Sequence, residues 1–238
     1  MIRIVQLYPC DMNLYGDWGN ARVLQKRLEW RGIDAEIVDH NPGDGTDLGS
    51  GDIFLGGGGQ DAGQDKIQED LQHHIDELGR LVEDGAPMLL ICGMYQLLGR
   101  TFVTGEGKII KGAGILPLDT RAGTDRLIGN VTLETPEFGE VVGYENHSGR
   151  TYVDDGHEPL GRVQRGAGNN GEDQQEGLRY RNVIGTYLHG PILPANPKVA
   201  DFLITKALER RGMPADLASL PVDEVAAKAH RTAKNRPR

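Results

Sequence analysis

Cys92 is the residue of this chain best placed to do chemistry. It ends the apolar run Pro87-Met88-Leu89-Leu90-Ile91 and is followed at once by Gly93-Met94-Tyr95-Gln96, so its thiol falls where a buried strand turns sharply into a helix. That is the position of a nucleophile elbow, which lifts a side chain above the carboxyl edge of a parallel sheet. The positive end of the following helix favours the thiolate, the reactive form of cysteine. Such a nucleophile needs a base and a place for an oxyanion. His189 closes a second strand-like run, Val183-Ile184-Gly185-Thr186-Tyr187-Leu188, and Gly190-Pro191 break the strand behind it, which delivers an imidazole to the same sheet edge. A glycine loop, residues 56–59, follows a third strand. It lacks the GxxxxGK[ST] pattern of a phosphate loop, so a nucleotide site is disfavoured. Bare amides brought close to an oxyanion suit it better, with Gly58 as the expected loop donor beside Gly93. A plain flexible turn is the other reading, and which loop glycine donates stays open.

The elements that must position these groups alternate between strand and helix. Residues 2–7, 35–38 and 52–55 read as strands, residues 19–31 as a helix closed by Gly32, and residues 67–82 as one long amphipathic helix ending near Gly85. The pattern predicts an α/β fold with a mostly parallel central sheet flanked by helices, and ligands bind such sheets at the carboxyl ends of the strands. From about residue 109 the strands shorten, including 127–133, 141–144, 178–180 and 183–187, and the second half reads as mixed or antiparallel. Residues 165–177, rich in glycine, asparagine and acids, read as an exposed loop. Residues 197–211 form a last covering helix. The expected division is one domain over 1–212 and a basic C-terminal tail over 213–238, in which a peripheral helix frays towards the end.

Composition narrows the function classes. A net charge of -9 argues against general nucleic-acid binding, which needs a basic surface. No apolar stretch approaches the roughly 20 residues of a membrane span, so a cytoplasmic location is expected. With Cys10 and Cys92 alone there is no disulfide framework and no CxxC zinc pair, and Cys10 reads as structural. His73 and His74 are consecutive on a helix and cannot share a face, so no metal site is expected, and no cofactor.

Three motifs in order, Ile91-Cys92-Gly93-Met94-Tyr95-Gln96, Gly143-Tyr144-Glu145-Asn146-His147-Ser148-Gly149 and Gly185-Thr186-Tyr187-Leu188-His189-Gly190, resemble the glutamine amidotransferase domain of cobyric acid synthase and its relatives. These lie within the triad-type class I amidotransferases, whose fold is flavodoxin-like. The resemblance covers the chain to about Arg211. It implies that Cys92 attacks the side-chain amide of L-glutamine, that loop and Gly93 amides hold the oxyanion, that His189 carries the proton to departing ammonia, and that water then releases glutamate. It also implies a role for Arg126 in binding the substrate, and a guanidinium suits an α-carboxylate because it bonds in a bidentate manner.

The segment from Leu7 to Asp17 and the free-standing length are most similar, within that family, to the glutaminase subunits of lipid II isoglutaminyl synthase. That similarity implies a heterodimer with a MurT-like Mur ligase subunit. The partner would use ATP, for which this chain has no motif, to activate the D-glutamate of lipid II for amidation to D-isoglutamine. Two alternatives are the same glutaminase chemistry serving another acceptor, such as a corrinoid carboxylate, and a non-catalytic scaffold of the same fold. The chain departs from the class pattern in three places. Pro191 stands where many class I enzymes carry the glutamate that orients the histidine, so the third triad member is Asp17, Glu145 or a residue of a partner. Met94 and Leu90 replace glycines usual on either side of the nucleophile, which suggests a looser elbow. His147 has no role that spacing assigns.

Overall fold

A computed structural model describes residues 1–237. The chain opens with β1 (Ile2–Leu7), α1 (Gly19–Glu29), β2 (Ala35–His40) and β3 (Ile53–Gly56), then passes through α2 (Asp61–His73) and α3 (Ile75–Glu83) to β4 (Met88–Ile91) and α4 (Gly93–Leu98). Next come β5 (Thr101–Val103), β6 (Ile109–Lys111), β7 (Leu118–Thr135), β8 (Gly139–Val153), β9 (Gly161–Arg165), β10 (Gln175–Glu176), β11 (Leu178–Tyr180) and β12 (Val183–Thr186). α5 (Pro197–Arg210) and α6 (Asp223–Lys234) end it.

The first sheet has the order β11-β12-β4-β3-β1-β2 and is parallel except for β11. β3, β4 and β12 are buried at every position, as central strands covered on both faces must be. The order puts β4 between β3 and β12. The glycine loop, Cys92 and the segment leading to His189 therefore leave the sheet side by side at its carboxyl edge. The second sheet, β10-β9-β7-β5-β6 with β8 paired to β7, is antiparallel apart from β5 on β7. The α/β class with a mixed second half is the architecture observed. No helix among the described residues is long and apolar enough to cross a membrane.

Several local expectations are corrected. The single helix expected over residues 67–82 is two, because His74 leaves helical angles at φ -104°, ψ 3° and joins α2 to α3. Ile67, Leu71, Leu78, Leu81 and Val82 stay in the core across the break, so the apolar period runs through it unmarked. The short strands expected over 127–133 and 141–144 are parts of one long hairpin, β7 with β8, paired from Leu118 with Val153 to Thr135 with Gly139. Its exposed face carries glycines and charges, which disguised its length. Residues 165–177 are not an open loop: Asn169, Asn170 and Glu176 are buried. Asn169 donates to the Gly177 carbonyl and accepts its N–H, and a polar turn satisfied internally has the same composition as a solvated one. Cys10 is exposed rather than packed.

Packing of the helices rests partly on one buried cation. Arg27 of α1 bonds Asp201 of α5 at 2.9 and 2.7 Å and Asp223 of α6 at 2.7 Å. Removing either partner class from such a network leaves a buried charge unmatched, at a cost of about 3–5 kcal/mol.

Candidate functional site

The β4–α4 junction holds Cys92 at φ 48°, ψ -101°, a conformation sparsely populated by non-glycine residues, which costs on the order of 1–3 kcal/mol and persists only where neighbours impose it. They do so here. The Cys92 N–H donates to the Thr186 carbonyl at 2.8 Å, tying the elbow to the end of β12. Met94, which takes the place of a small residue, fits because position 56 lacks a side chain: a Cβ on Gly56 would sit 2.7 Å from Met94 Cβ. The room usually found in the elbow has been moved to the adjacent strand.

His189 is brought to the same point by its N–H, which donates to the Tyr144 carbonyl at 2.7 Å and bridges the two sheets. Gly58 lies between the two side chains. A Cβ there would sit 2.5 Å from His189 Cε1 and 3.4 Å from Cys92 Cβ. Asp17 Oδ2 lies 3.7 Å from His189 Nδ1, an ionic contact too long for a hydrogen bond, and accepts the Gly58 N–H at 2.9 Å. Burial alone would lower the His189 pKa. The Cys92 sulfur and the Asp17 carboxylate outweigh it and raise the imidazole to about 9, so the ring stands protonated at neutral pH.

The Gly58 amide, expected as an oxyanion donor, is thus already committed to Asp17. Gly59 is the loop glycine that lines the pocket, and its nitrogen lies 3.1 Å from where a Gly93 Cβ would be. Glu145, the other carboxylate considered beside the histidine, faces elsewhere: its oxygens accept the Ala167 and Gly168 N–H groups at 2.8 and 2.9 Å.

Cys92 and His189 open into one pocket with Gly59, Gln64, Gln96, Arg126, Asn146 and His147 on its walls. Arg126 reaches it from an irregularity in the β7–β8 pairing. Its guanidinium is held by Asn146, through Nε to the side-chain oxygen at 2.9 Å and through Nη2 to the backbone oxygen at 3.0 Å. Behind the pocket runs a buried chain of hydrogen bonds, Gln64 to Gln96 to Tyr187 to Thr151. Gln64 Oε1 is buried and unpaired, an acceptor left for a ligand. His147 stacks on Tyr187 with centroids 3.6 Å apart, and its Nδ1–H donates to the Gly149 carbonyl. Burial holds its pKa below the usual value, which makes it a neutral wall of the pocket.

Sequence reasoning missed Glu176. Its fully buried carboxyl accepts the Thr186 hydroxyl and the Tyr187 N–H and so fixes the segment that carries His189. Desolvation pushes it up to about 8. An acid placed in an apparently solvated turn gave no sign of this.

Comparison with known proteins gives the family and the fold. Residues 3–197 match the CobB/CobQ-like glutamine amidotransferase domain. The chain is 45% identical over 203 residues to the lipid II isoglutaminyl synthase (glutamine-hydrolyzing) subunit GatD of Staphylococcus aureus, covering 85% of this chain and 83% of the relative. It is 39% identical to the subunit of the same name from Streptococcus pneumoniae, covering 88% and 82%. A crystal structure of a glutamine amidotransferase superposes with a TM-score of 0.58 at 20% identity over 88% of this chain and 99% of that one, a likeness of fold.

Proposed function

The chain belongs to the CobB/CobQ-like glutamine amidotransferase family, and from that premise we propose that it is the glutaminase subunit of a lipid II isoglutaminyl synthase, supplying ammonia to a MurT-like, ATP-dependent ligase subunit in the cytoplasm. The observation that carries the chemistry is a strained cysteine and a buried histidine flanking one glycine at the mouth of a pocket. In this reading the Cys92 thiolate attacks the side-chain amide carbon of L-glutamine. The amides of Gly93 and Gly59 receive the oxyanion, a preorganised arrangement that accounts for much of the catalysis in acyl transfer. The protonated His189 gives its proton to the departing nitrogen, ammonia leaves, and a thioester remains. His189, now neutral, takes a proton from water as it attacks, and glutamate is released with the thiolate restored. Asp17 holds the imidazole and its charge, in place of the missing glutamate at Pro191. Arg126 receives the α-carboxylate of glutamine, and Gln64 Oε1 accepts from one of its N–H groups.

The acceptor is inferred from the relatives, which match this chain over more than four fifths of both lengths. Amide-labelled ¹⁵N-glutamine supplied to the two-subunit complex with ATP and lipid II tests it. The label should appear in lipid II with the wild-type chain and be absent with Cys92→Ala, while added ammonium still amidates lipid II in the variant. Label transfer by Cys92→Ala, or no amidation of lipid II by either nitrogen source, contradicts the reading.

A further inference from the structure

Away from the glutamine pocket, the end of β2 meets the joint between α2 and α3 in three side chains that the reaction does not use. His40, the last residue of β2, is fully buried, and neither ring nitrogen has a hydrogen-bond partner. Leaving a buried polar atom unpaired is costly, so the Nε2 that faces Asp70 calls for a ligand. His40 Nε2 lies 3.4 Å from Asp70 Oδ2, and His74 Nε2 lies 3.6 Å from the same oxygen. One ligand atom from each of the three residues falls within 4.8 Å of the others.

We propose that His40, Asp70 and His74 form a binding site for a divalent transition-metal ion of the zinc class, with solvent completing the coordination. Ligands at about 2.0–2.2 Å around a tetrahedral ion stand about 3.3–3.6 Å apart. The two measured approaches to Asp70 match that spacing, and His74, which is partly exposed, can close the third side by rotation. Two imidazoles and a carboxylate suit zinc and its neighbours better than calcium or magnesium. The surroundings resemble the outer partners that orient metal ligands: Asp70 also accepts the Tyr8 hydroxyl at 2.9 Å and the Gly43 N–H at 3.0 Å. His73, the residue next to His74, is exposed and not part of the cluster. The partner of His74 comes instead from one turn earlier and from a strand far away in sequence. An ion here would pin the end of β2 to the C-terminal turn of α2, the helix that carries Gln64 to the pocket.

The test uses the full-length, tag-free chain after chelator treatment, in a Cys92→Ala background so that the active-site thiol is not a rival ligand. Cobalt(II) followed by absorption, then zinc by competition and calorimetry, should give one ion per chain and a cobalt spectrum without the intense charge-transfer band of thiolate ligation. His74→Gln, at a partly exposed position that the fold tolerates, should weaken binding at least about tenfold, with Asp70→Asn weaker still and His73→Gln unchanged. If His40→Gln does not fold, His74→Gln and the parent chain still decide. No zinc binding up to about 100 μM, a level that corresponds to negligible specific affinity, overturns the site. So does stoichiometric binding that survives both His74→Gln and Asp70→Asn.

Discussion

Gly58→Ala is the substitution whose effect can be worked out most fully from the geometry. The new methyl would sit 2.5 Å from His189 Cε1, nearly an ångström short of the 3.4 Å at which ordinary contact begins. Something must shift, and the backbone of residue 58 is held by its bond to Asp17. The imidazole is the softer element, so it is displaced by about 1 Å away from Cys92, and misplacement on that scale costs about a hundredfold in rate. The crowding itself should destabilise the fold by about 1–3 kcal/mol. Steady-state glutaminase kinetics of the assembled complex should therefore show kcat down about a hundredfold with KM within about threefold of wild type, because the groups that bind glutamine are not touched. Ammonium-dependent amidation should be unaffected. Gly79→Ala is the control: it lies in α3 with nothing within 4 Å of the new methyl, and should add about 0.5–1 kcal/mol of stability without changing kcat. A Gly58→Ala enzyme that is folded and retains kcat within about twofold of wild type would refute the placement of His189 against Cys92.

Asp17→Asn should shift the basic limb of the pH–rate profile downward, since the acid form of His189 is lost as pH rises through about 9 and the carboxylate helps hold it there, and kcat should fall at least about tenfold. An unmoved basic limb would exclude Asp17 as the partner of the histidine. Arg126→Ala should raise KM for glutamine about ten- to a hundredfold, the worth of one charged hydrogen-bonded contact, with a much smaller change in kcat. A pure kcat effect would remove Arg126 from substrate binding. Glu176 has its pKa raised from 4.5 to about 8 by burial, so folding favours its protonated form: its contribution to stability is complete below about 4.5 and is lost as pH rises through about 8. Denaturant titrations across that window should show Glu176→Gln with a flatter decline than wild type, and identical slopes would contradict the buried acid.

The first half of the fold was legible because its strands are continuous apolar runs separated by helices with a clear period, and strand order in a doubly covered sheet then sends 56–59, Cys92 and the approach to His189 to one edge. Residue type at a strand end was enough to single out the thiol and the imidazole. What could not be read depends on contacts distant in sequence. Asp17 and Glu145 are equal on paper, and only the packing of the 167–168 turn onto Glu145 leaves Asp17 beside His189. Gly58 and Gly59 are likewise equal until the Asp17 carboxylate takes one of their amides. Glu176 and Asn169 sit in a segment whose composition suits solvent as well as it suits a satisfied interior. The break at His74 leaves no trace in the apolar pattern, and the company it keeps, His40 and Asp70, converges only in three dimensions.

The account depends most on the thiol of Cys92 being the atom that attacks glutamine. Incubation of the complex with a diazo-ketone mimic of glutamine, followed by peptide mapping by mass spectrometry, reads that atom directly. One adduct on Cys92, appearing in step with loss of glutaminase activity and leaving the exposed Cys10 unlabelled, is the predicted result. Inactivation with Cys92 unmodified would contradict it.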